Sequence, residues 1–159
     1  MITEADARRD GDLPMYVEGV SETFRDELTL LGALTLRWHT RPAGRIEREL
    51  MTQPMDLEAA VIDARQATAD ELPGVLAILD RHRAEPLDDE MAAAMTTSAA
   101  KEHVMLAVMA GRSSGRDALA AHAGELIAER ARASRVVAPL ATPAQTSPVD
   151  RLRAVLHAA

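Results

Sequence analysis

Between Val17 and Trp38 the apolar residues Val17, Val20, Phe24, Leu28, Leu31, Leu34 and Trp38 recur at steps of three or four, the period of a helix with one buried face. The spacing predicts a first helix over residues 15–40. Leu30, Ala33 and Leu36 widen its stripe, so its second half is expected to be the most buried part of the fold. Pro42 disfavours helical geometry at Arg41 and brings no amide hydrogen, so the helix is expected to stop there. Ile46 and Leu50 then point inward from a short segment ending near Met51.

The same period continues downstream. Asp56 is placed to cap a helix with Leu57, Val61 and Ile62 inward, ending near Ala69. Asp70 is placed to cap the next, with Pro73 in its first turn and Leu72, Val75, Leu76 and Leu79 on the stripe. Glu85-Pro86 closes that element, and Asp88, Asp89 and Glu90 open a helix to about Gly111, where the dipole favours acids at the N-terminus. Met91, Met95, Met105 and Met109 give that helix a wide apolar band, fit for core filling and for an adaptable interface. After Ser113-Ser114-Gly115, a last bundle helix is expected from Arg116 to Ala133 with Leu119, Ala123, Leu126 and Ile127 inward.

No alternation of the strand type persists, so the expected fold is all-α: a compact, up-down bundle of four to six helices. The expected organisation is a flexible segment over 1–14, the bundle over 15–134, a Pro-rich linker over 135–147 and a short amphipathic helix over 148–159. In that last segment Ser147-Pro148-Val149-Asp150 reads as a helix start, and Val149, Leu152, Val155 and Leu156 share one face.

Composition then removes chemistries. The 159 residues include no cysteine, which excludes disulfides, thiolate nucleophiles and Cys-ligated metals and suits a reducing cytoplasm. The first ten residues have no apolar core of signal-peptide length, and no apolar run approaches the ~20 residues that cross a bilayer. A net charge of −7 disfavours nucleic acid and membrane surfaces as partners. Three aromatic residues, Tyr16, Phe24 and Trp38, leave little to stack against bases. Lys101 is the sole lysine against 17 arginines, a bias of GC-rich bacterial coding rather than of function.

The candidate chemistry is sparse. His39, His82, His103, His122 and His157 show neither Glu-x-x-His nor His-x-x-x-His spacing, so no metal or other cofactor is expected. A ferritin-like metal- or ligand-binding bundle with oxidoreductase chemistry is the alternative, and it would draw on Glu27, Glu102, His103 and His122. Glu27 falls in the first apolar stripe, where a buried carboxylate calls for an interhelical arginine. Arg41, Arg45 and Arg48 share a helical face diluted by Glu47 and Glu49 and read as solvated. The turn at Ser113–Arg116 lacks a P-loop pattern and reads as a cap, and no Gly-x-Ser-x-Gly elbow supports hydrolysis.

The functional expectation is therefore a non-enzymatic cytoplasmic module that forms homo-oligomers through its Ala- and Met-rich faces. It would dock a protein partner through its terminal segment, with Val149, Leu152, Val155 and Leu156 as the apolar face and Arg151 and Arg153 beside it.

Overall fold

A computed structural model describes residues 1–52 and 54–135, and it is all-helical there, with no strand among the described residues. The seven helices are α1 (Ile2–Arg8), α2 (Val20–Thr23), α3 (Glu27–Leu50), α4 (Leu57–Glu71), α5 (Pro73–Ala84), α6 (Asp89–Met109) and α7 (Ala118–Ala133). The expected linker from residue 136 on, and the expected helix over 148–159, lie outside the described residues.

Four of the five long helices start the same way. Asp26, Asp56, Asp88 and Asp117 each accept a hydrogen bond from the backbone amide three residues on, at 2.8–3.0 Å. The Thr29 hydroxyl and amide bind Asp26 closely enough to lower its pKa to about 2. The exception is α5, which begins on Pro73 with Leu72 at the cap position; Asp6 of α1 supplies the missing acceptor, taking the Gly74 amide at 2.9 Å. Asp70, the expected cap, pairs instead with Arg135 at 3.1 Å.

Three expectations are corrected here. Residues 15–40 are not one helix: α2 is a single turn, Phe24 and Arg25 break the run, and Asp26 restarts it as α3. That helix then runs through Pro42 to Leu50, because Trp38, Pro42 and Ile46 form one buried row whose burial outweighs the lost amide. Residues 2–8, expected to be flexible, form α1 and dock on α5. The docking is close because Gly74 has no side chain: a Cβ there would stand 2.1 Å from the Ala5 carbonyl carbon.

The interior comprises two apolar clusters. One joins Leu30, Leu31, Leu34 and Trp38 of α3 to Val75, Ile78 and Leu79 of α5 and Met91 and Met95 of α6. The other joins Ile46, Val61 and Ala64 to Leu106, Ile127 and Ala128. Along α6, Glu102 falls between Met95 and Leu106, and along α4, Arg65 and Thr68 fall between Ala64 and Ala69, so a polar layer separates the clusters.

The most extensive helix contact is between α6 and α7. It is a contact of small residues: Ala120, Gly124, Ala128 and Ala131 are buried, and a Cβ on Gly124 would stand 1.7 Å from the His103 carbonyl oxygen. The inward stripe expected on α7 is thereby corrected. Ile127 is buried, but Leu119 is 80% and Leu126 39% exposed, since bulky side chains on the inner face would hold the two backbones apart.

Candidate functional site

The polar layer brings together residues from four helices. Glu102 accepts hydrogen bonds on one carboxylate oxygen from Trp38 Nε1 at 3.0 Å and Arg65 Nε at 3.1 Å, all three side chains being buried. The Arg65 guanidinium also lies 5.3 Å from the centre of the Trp38 ring, a cation–π contact. Arg83 of α5 approaches the other carboxylate oxygen to 3.9 Å. Burial pushes the Glu102 pKa up, yet the Arg65 charge and the Trp38 hydrogen bond pull it further down, below the ordinary glutamate range. His39, 3.4 Å from the Ser98 hydroxyl, and His103 are both held below the ordinary histidine value, chiefly by burial. One oxygen of Glu102 thus takes two donors from the protein, while the buried Nε of Arg83 makes no hydrogen bond among the described residues.

Of the residues of the ferritin-like alternative, His103 and His122 border one cleft with Arg83 and Glu125, while Glu27 lines a different one. Glu27 is exposed in the first turn of α3, His122 is exposed on α7 with Glu125 at 3.5 Å, and Glu102 is bound as above. Among the described residues no three His, Asp or Glu side chains are grouped to hold a metal ion. The carboxylate that does need an interhelical arginine is Glu102, not Glu27.

The arginine face is likewise drawn into the structure. Arg41 and Arg45 both pair with Glu71 of α4, Arg41 at 3.0 Å. A second, largely buried carboxylate, Glu58 of α4, is gripped by Arg112 beyond α6 and Arg130 of α7. In the 113–115 turn the Ser113 hydroxyl accepts from the Gly115 amide at 3.0 Å, and Asp117 rather than a phosphate satisfies the helix start.

Among the described residues the outward side of α6 is left without a partner. Thr97, Ala100, Val104, Met105, Val108 and Met109 floor an open groove of about 860 Å³, with Lys101 on it and Arg116 at its end. Among the described residues no carboxylate lines it and neither cation makes an ion pair. Thr97 and Lys101 also border an adjoining groove of about 580 Å³ shared with Leu36 and His39 of α3, where Leu36 is 65% exposed. The methionines thus divide: Met91 and Met95 fill the core, while Met105 and Met109 are half-buried under the groove.

The surface was readable only in part. The apolar band of α6 and its Met residues point to more than one contact, but Lys101, Val108 and Arg116 carry no motif that singles them out. The expected partner residues Val149, Leu152, Val155, Leu156, Arg151 and Arg153 lie outside the described residues. No helix among the described residues is long and apolar enough to cross a membrane. Compared with known proteins, the chain matches no family model, no curated protein and no solved structure.

Proposed function

We propose that the chain is a non-enzymatic protein–protein association module, which self-associates through the outward side of α6 and docks a further protein partner through its C-terminal segment. One observation supports the first part: among the described residues, a continuous apolar groove along Thr97–Val108 is left unpartnered, and the two cations on it make no ion pair. Contiguous apolar surface of this kind is typical of interaction sites. The second part rests on the sequence, in which an uncharged, Pro-containing stretch precedes the helically spaced Val149, Leu152, Val155 and Leu156.

Light scattering behind size exclusion tests the first part on the full chain. A molar mass that rises above that of one copy with concentration is expected. A mass of one copy throughout would overturn self-association. Affinity capture with and without residues 139–159 tests the second part, and a partner retained by both would overturn it.

A further inference from the structure

A flank of α7 beside its small-residue contact carries a second feature unpartnered among the described residues. Leu119, Ala123 and Leu126, at positions i, i+4 and i+7, form a ridge on one side of the helix, with both leucines exposed. Glu129 is exposed three residues beyond Leu126 and makes no ion pair among the described residues, while Arg130, next on the line of the ridge, is taken up by Glu58. The groove of α6 has the converse character, an apolar floor with Lys101 and Arg116 and no acid.

We propose that the occupant of the α6 groove is the Leu119–Leu126 ridge of a second copy of the chain, with Glu129 near the groove's cations. The inference rests on the self-association reading above and names the two halves of the interface. Charge selects among the occupants the chain itself offers. Two α6 grooves placed face to face would bring Lys101 and Arg116 of both copies into one contact, which like charges oppose. The C-terminal segment carries Arg151 and Arg153 against the single acid Asp150, so it too meets the groove with the wrong sign. Leu87, exposed among Glu85, Asp88, Asp89 and Glu90, stands singly ahead of α6, whereas Leu119 and Leu126 form a ridge of helical period with Glu129 beside it.

Packing agrees with charge. The groove residues Thr97, Lys101, Val104 and Val108 follow steps of four, three and four along α6, and a ridge of the same helical period seats between such rows. Groove and ridge share no residue, so each copy presents both. The contact either closes as a two-fold dimer, each ridge in the other copy's groove, or builds a ring or an open chain.

Sedimentation of the full chain with two variants tests this. The ridge variant is Leu119→Lys with Leu126→Lys, and the groove variant is Lys101→Gln with Val108→Gln; all four positions are exposed, and unchanged circular dichroism melts verify folding. The wild type is expected to sediment faster as concentration rises, and each variant to associate about tenfold or more weakly, the loss expected for truncating a central interface residue. An equimolar mixture joins the intact groove of one variant to the intact ridge of the other, so it regains association and stops at a dimer. A mixture that stays monomeric, or variants that associate like the wild type, would overturn the ridge-in-groove interface while leaving self-association standing. A wild type that stays monomeric overturns both.

Discussion

Arg65 of α4 donates to Glu102 of α6 at 3.1 Å with 5% and 2% of their side chains exposed, a charge pair sealed between two apolar clusters. Such a pair is costly to break from one side, because the survivor remains buried and unpaired. Glu102→Gln and Arg65→Met are each expected to cost about 3–5 kcal/mol in chemical denaturation. The double change Arg65→Met with Glu102→Leu is expected to cost less than the sum, since it leaves no orphan charge. Additive losses would show that the two residues act independently.

The same layer sets a pH dependence. Glu102, His39 and His103 all bind protons less readily in the folded chain than in the unfolded one. The unfolded state therefore takes up more protons as pH falls, and stability present near neutrality is lost on acidification. The denaturation midpoint is expected to hold above about pH 6.5, to fall below it as unfolded histidines charge, and to fall further near about pH 4.3 as unfolded glutamates protonate. A midpoint that rises between neutrality and mild acid would contradict this assignment.

Two glycines in long helices should respond oppositely to alanine. Gly124→Ala sets a methyl group against the His103 carbonyl and forces α7 off α6, a loss of at least about 1–3 kcal/mol. Gly32 of α3 has nothing within 4 Å of where a Cβ would stand, so Gly32→Ala is expected to add about 0.5–1 kcal/mol by restricting the unfolded chain. Melting curves of both variants decide it, and a stabilised Gly124→Ala would show that the helices are not in backbone contact.

Deleting residues 139–159 is expected to leave the helical signal and the melting temperature nearly unchanged, because among the described residues α1–α7 already assemble both core clusters. A large drop in melting temperature would show instead that this segment packs on the bundle.

The elements were legible from local signals, and the contacts were not. The caps at Asp56 and Asp88 follow from an acid preceding an apolar period, and the α-helical class follows from the period itself. The course of α3 through Pro42 was not legible, because a local penalty is decided by a buried row that only the tertiary fold assembles. Glu102 could not be told from Glu27 as the buried acid, since its partner Arg65 lies 37 positions away. On α7 the period was right and the face wrong: hydrophobicity favours Leu119 and Leu126 as inward, while close approach to α6 demands Ala120 and Gly124 there. The same reversal produces the exposed ridge, so the error in the sequence reading falls on the residues proposed to make the interface.

Lys101 offers the most direct measurement, because it is the sole lysine of the chain and stands on the groove. Trace acylation of the wild type with an amine-reactive reagent, read by peptide mass spectrometry, compares its labelling rate with that of the N-terminal amine at rising protein concentration. If a second copy occupies the groove, Lys101 becomes progressively protected relative to the N-terminus. A ratio that stays constant from dilute to concentrated protein would contradict association through this face.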